Sequence, residues 1–362
     1  MNGVNRVDMR RVTQEAIRMA REMGIALEKG GTLFLDEGAV MHLISEALKE
    51  YGVIYATLGE AKREYSDILE EYAVSRVDLS RVQDGILVYV PRNTVIEEPI
   101  STCYALARRG VVQRVYNLYV AEANAHMVTS TGCYALTDEG AHWSVTDVHL
   151  GEGARASSIM IHNWRPGIRV SMSKRARILD RAYLSAFYIN SSVPERITSM
   201  TELLLEGEDS KADSDTIVNA AGSSRYDYIS IARLSGPGSS AQLLSRIVAR
   251  GSAEVRNVIR IEASSPGTRG HIECRALQLG NARVSTLPEL LSSTRDAELT
   301  HEASIGKISR EQLNYLFTRG FDEEEATSLI VKGFMGAGLG RVPEPLRPVV
   351  GRIIEELSRG GM

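Results

Sequence analysis

The chain has 362 residues, 43% of them hydrophobic, enough to bury a large core in about two domains or one elongated one. Its 42 basic and 46 acidic side chains leave a formal charge of -4, which offers no basic footprint for nucleic acid, and no run approaches the roughly 18 apolar residues of a membrane span. Cys103, Cys133 and Cys274 are odd in number and far apart, which argues against a disulfide framework or a paired-cysteine zinc site and makes a reducing cytoplasm the expected compartment.

The polar start, Met1 to Arg6, leads into an amphipathic helix and not into an apolar signal core. Over residues 9 to 24, Val12, Ala16, Met19, Ala20 and Met23 share one helical face. Gly38 to Tyr51, with Val40, Leu43, Ile44 and Leu48, repeats the pattern, and Leu58 to Tyr72 predicts a third helix. From about Gly85 the apolar segments become short, β-branched and punctuated by Gly, Ser and Asn. Helical signals return at Ser309, a capping residue ahead of Leu313 and Leu316, and at Asp322 with Glu325. A last amphipathic helix follows Pro345, with Val349, Ile353, Ile354 and Leu357. The expected division is a helical region over 1–80, a strand-rich core over 81–300 and a second helical region over 301–362.

The strand-rich core repeats. Gly251-Ser252-Ala253-Glu254-Val255 recurs as Gly280-Asn281-Ala282-Arg283-Val284, and Glu122-Ala123-Asn124-Ala125 is echoed by Gly151-Glu152-Gly153-Ala154, at a step of about 29 residues. Small-residue turns followed by β-branched strands at a fixed period suit stacked coils, because each coil buries its apolar face only against its neighbours. A β-helix is therefore preferred to a sandwich.

Three residues could hold iron. In Ile272-Glu273-Cys274-Arg275-Ala276 strand alternation puts Cys274 on the inner face, where a cysteine is more often core packing than a soft ligand. His301 and Glu302 follow 27 residues later, where strands give way to helix; each alone reads as a packing or solvated side chain, and together with a thiolate they form a mixed ligand set. Apparent nucleotide and calcium motifs fail on inspection. Gly306-Lys307-Ile308 lacks the remainder of a phosphate-binding loop, and Lys211 stands where a calcium loop needs an oxygen ligand.

The run from Ile305-Gly306-Lys307-Ile308 through Arg319-Gly320 and Glu323-Glu324-Glu325-Ala326 to Lys332-Gly333-Phe334 resembles the carboxyl-terminal signature of the SufB/SufD family of iron-sulfur cluster assembly proteins. Asp84 to Pro91, Thr131-Gly132-Cys133-Tyr134, Asn163-Trp164-Arg165-Pro166-Gly167 and Ser173-Lys174-Arg175 extend the resemblance over about 80 to 335. The resemblance implies a mainly β protein, a right-handed parallel β-helix flanked by N-terminal and C-terminal helical regions. It implies a scaffold and not an enzyme, on which a transient iron-sulfur cluster is assembled from iron and sulfide and passed to apoproteins, with no nucleotide bound by this chain. Cys274, His301 and Glu302 match its cluster ligands, and Cys133 its sulfur acceptor, with Lys174 or His162 expected to favour the thiolate. The implied partners are a SufC-type ABC ATPase docked on the C-terminal helices, a second SufB/SufD-type chain in a homodimer or heterodimer, a sulfur donor and apoprotein acceptors; nucleic acid and membrane are not among them. A SufD-like organising partner that does not hold the cluster alone is the nearest alternative. A carbohydrate-active β-helix enzyme is the remote one, and it would need an acidic groove that the sequence does not show.

Overall fold

The computed structural model describes residues 9–27, 30–342 and 344–358. The polar start at Met1 to Arg6 lies outside them. Sixteen coil strands form two parallel sheets that enclose a lumen. The first sheet stacks Ile100–Leu106, His126–Ala135, Arg155–Asn163, Tyr183–Asn190, Lys211–Ala220, Ser240–Ala249, Thr268–Gln278 and Ala297–Gly306. The second stacks Ile86–Val90, Val111–Ala121, Gly140–Leu150, Ile168–Ile178, Arg196–Leu205, Arg225–Leu234, Glu254–Ala263 and Arg283–Ser292. The chain alternates between the sheets at every coil, so the fold is a β-solenoid.

The repeat in the sequence is the coil itself. Glu254 lies in register with Arg283, and the Asn281 amide donates to the carbonyl of Gly251 at 2.8 Å, one coil away. Both Gly251 and Gly280 hold positive φ, 66° and 72°, a backbone state that costs a side chain and explains why small residues recur at this corner. Inward residues interdigitate along the lumen as one apolar column that includes Ile197, Leu203, Val218, Ile247, Ile261 and Ile272.

Among the described residues seven α-helices pack outside or beyond the coils: α1 Met9–Glu22, α2 Glu46–Glu50, α3 Leu58–Glu64, α4 Ser66–Tyr72, α5 Arg310–Thr318, α6 Glu323–Gly336 and α7 Arg347–Ser358. Ala16 and Ala20 of α1, Val331 of α6 and Ile354 of α7 join one cluster with outward residues of the first sheet, among them Cys103, Tyr134, Ile161 and Ile217. Leu58, Ala61 and Leu69 of α3 and α4 cover Leu87, Tyr116 and Leu118 of the second sheet. Ser309 caps α5 by accepting from the amides of Glu311 and Gln312, and Asp322 and Glu325 form a reciprocal box on α6.

The expected helix over Gly38 to Tyr51 is not formed. Gly31–Leu35, buried throughout, pairs in parallel with Ile100–Leu106 and turns back through Asp36 and Gly38, both at positive φ, into the antiparallel strand Ala39–Leu43. Only the short α2 remains. Val40 and Leu43, assigned to a buried helical face, are exposed on this hairpin. The span from Leu58 to Tyr72 is helical as expected but broken at Tyr65 into α3 and α4.

Candidate functional site

Cys274 sits on Thr268–Gln278 between Ile272 and Ala276, all three inward and buried. Burial raises its thiol pKa, and a hydrogen bond with Thr286 opposes that shift. Around it the lumen is polar: Asn257 donates to Ser245 at 3.2 Å and to Thr286 at 3.4 Å, and Ser245 is the register partner of Cys274 one coil back.

His301 and Glu302 lie inside the last strand, Ala297–Gly306, and not at the strand–helix junction expected from sequence. Adjacent residues of a strand face opposite sides. His301 pairs in register with Ile272 and so shares the lumen face with Cys274, whose own partner is Ala303. From a strand spacing of about 4.8 Å and a two-residue rise of about 6.6 Å, the Cα atoms of Cys274 and His301 are roughly 8 Å apart. Glu302 pairs with Glu273 on the outer face, where Arg275 lies 3.5 Å from its carboxylate. Among the described residues no three His, Cys, Asp or Glu side chains converge closely enough to hold a metal ion. The chain thus presents Cys274 and His301 toward one space and Glu302 at its rim.

That space is the end of the solenoid. Along the row Val218, Ile247, Ala276 and Ile305, the first three are buried, and Ile305 is 41% exposed because no further coil stacks on it. His301 is exposed for the same reason. Ala297–Gly306 and Arg283–Ser292 each end a sheet, so both present unpaired backbone edges among the described residues.

Cys133 faces the same lumen from His126–Ala135. In register, Cys133 meets His162, then Asn190, Val218, Ile247 and Ala276. It is therefore five strand steps from the Cys274 strand, about 24 Å. The expected cationic help is not found in this arrangement. Burial pushes the Cys133 thiol well above its ordinary value and holds His162 neutral, and Lys174 gives its hydrogen bond to Ser158 at 3.3 Å. Lys174 is nonetheless a lumen residue, its amine drawn down to about 8 by burial. It lines an internal cavity with Thr131, Thr146, Ser158, Tyr188 and Thr216. Trp164 is a packing anchor, its ring 5.0 Å from that of His142 and 5.6 Å from that of His162. Cys103 faces outward beneath α1 and takes no part in the lumen.

Sequence reasoning missed the polar residues between the two cysteines. The period could have found them: stepping back from Cys274 coil by coil gives Ser245, Thr216, Tyr188 and Thr131, one register row interrupted by Met160.

The family profile described as SUF system FeS cluster assembly, SufBD core domain, matches residues 104–334. An iron-sulfur cluster assembly SufBD family protein of Methanothermobacter thermautotrophicus (strain Delta H) is 31% identical over 265 residues, 72% of this chain and 65% of that protein. The chain thus matches just under two thirds of that relative's length. One from Archaeoglobus fulgidus is 28% identical over 352 residues, 94% of each chain, and one from Pyrococcus horikoshii is 28% identical over 346 residues, 90% of this chain and 76% of that protein.

Proposed function

Because the chain belongs to the SufBD family of iron-sulfur cluster assembly scaffolds, we propose that it acts as the cluster-bearing, SufB-like member, taking up sulfur at Cys133 and building a transient cluster at Cys274, His301 and Glu302. The observation that carries this reading is the lumen end, where His301 stands exposed on the last strand and Cys274 lies buried one coil inside it on the same face. A second chain pairing on the free edges of Arg283–Ser292 and Ala297–Gly306 would close that space and supply the missing ligands. Mixed, shared ligation suits a cluster that must leave again for an apoprotein.

In the loading step the Cys133 sulfur attacks the outer sulfur of a donor persulfide. The donor's S–S bond breaks, a new S–S bond forms on Cys133, and the donor leaves as a thiol, with no net oxidation or reduction. The Cys133 proton goes to the departing donor sulfur, because burial disfavours a charged His162 beside it. Release of that sulfur as hydrosulfide takes two electrons, which a dithiol supplies by becoming a disulfide. Lys174 and the hydroxyl-lined cavity offer the ion a polar path toward Ser245, Asn257 and Cys274.

A SufC-type ATPase would dock on α5 and α6. No residue of α5 is buried, and Tyr315, Phe317, Phe321 and Leu329 are 40–58% exposed, an apolar set that nothing among the described residues covers. Anaerobic reconstitution with iron and sulfide tests the assignment. A folded wild-type protein, alone or as a homodimer, gains the visible absorption of a cluster on this reading; one that gains it only with a second family member present has the organising, SufD-like role.

A further inference from the structure

The second sheet carries one row of charge that the rest of that sheet avoids. Outward rows there alternate in sign from coil to coil: Arg175 pairs with Glu202 and Arg260 with Glu289, each at 2.7 Å, and Asp227 with Arg256 at 2.8 Å. Arg169, Arg196 and Arg225 instead stand directly opposite one another on three successive strands. Their strands are about 4.8 Å apart, and like charges opposed in a sheet are destabilising. Only Arg225 has a carboxylate, that of Glu254 at 3.5 Å; Arg169 and Arg196 have none within ion-pair reach among the described residues. All three are exposed, as is Arg165 on the turn ahead of Arg169, and Glu195 is the acid closest to the row in sequence.

The row flanks the solenoid corner beside Cys133. That corner follows Cys133 by two residues in one coil and His162 by one in the next; Ala141 holds the row position beyond it in the Cys133 coil, and Arg169, Arg196 and Arg225 hold it in the next three. Resting on the reading of Cys133 as sulfur acceptor, we propose that Arg165, Arg169, Arg196 and Arg225 form a docking strip for an acidic segment of the sulfur-donating protein. Carboxylates spaced along an extended segment would supply the alternation the row lacks, and the docked donor would bring its persulfide to the corner nearest Cys133.

The test uses the full chain and a fluorescently labelled, glutamate-rich peptide ending in a cysteine persulfide. Arg196→Glu restores alternation along the row, so the variant should melt no lower than wild type. It should bind the peptide about tenfold more weakly by anisotropy at low salt, and lose a similar factor in its rate of gaining one sulfur from the peptide, read by intact mass. Its loading from free cysteine persulfide should stay within about twofold of wild type. Unchanged peptide affinity in the variant overturns the strip, as does tighter binding of a single-stranded oligonucleotide than of the peptide. Should Cys133→Ser still gain sulfur from both donors, the acceptor reading fails, while the anisotropy result decides the strip by itself.

Discussion

Cys133 and Cys274 project into one lumen from strands five steps apart in the same sheet, in neighbouring register rows. A separation of about 24 Å excludes both sulfurs from a single cluster. Each can then be tested without disturbing the other.

Cys133→Ser should abolish loading from a protein persulfide and leave reconstitution by free sulfide largely intact. Serine is nearly isosteric in this buried position, so the expected stability loss is on the order of 1 kcal/mol. Sulfur incorporation from labelled persulfide, followed beside thermal melting, separates lost chemistry from lost fold. Equal loss of both routes in a folded variant would contradict the two-station arrangement.

Lys174→Met should stabilise the protein at neutral pH while slowing sulfur passage. Burial lowers the amine from its ordinary value to about 8. Below that pH the amine is charged in both folded and unfolded chains, and the cost of burying the charge is present in full. Between about 8 and 10.5 the unfolded chain holds the proton and the folded one does not, so wild-type stability rises with pH through this window. The methionine variant lacks this rise. Denaturant midpoints for both proteins across the window check the sign, and a wild-type curve as flat as the variant's would show that the amine is not held in the lumen as described.

Replacing Phe317 by Asp should remove co-purification with a SufC-type subunit and barely change the melting temperature. The ring is 41% exposed on a helix with no buried residue, so little folding energy is lost. Pull-down with the purified ATPase subunit measures the effect. Retained binding would place the docking surface elsewhere.

The solenoid was legible in the sequence because its period is physical. At one corner glycines at positive φ recur in three successive coils, Gly222, Gly251 and Gly280, 29 residues apart. Cys274 was readable as inward because alternation in Ile272-Glu273-Cys274-Arg275-Ala276 survives in the fold. Two features were not legible. The apolar spacing of Val40, Leu43 and Ile44 suits a helix, but the preceding strand Gly31–Leu35 captures the segment in a hairpin through long-range pairing with Ile100–Leu106, which local periodicity cannot register. His301 and Glu302 read as a joint pair in sequence, but continuation of the strand to Gly306 places them on opposite faces. That alternation leaves Glu302 off the face that Cys274 and His301 share.

The scaffold reading stands on Cys274. Anaerobic reconstitution of wild type, Cys274→Ser and His301→Ala with iron and sulfide, read by visible absorption and bound iron with oligomeric state followed by light scattering, tests it most directly. The expected outcome is a cluster in a wild-type dimer, none that survives desalting in Cys274→Ser, and a weakened one in His301→Ala, all three folded. Wild-type iron content and absorption in a folded Cys274→Ser protein would contradict it.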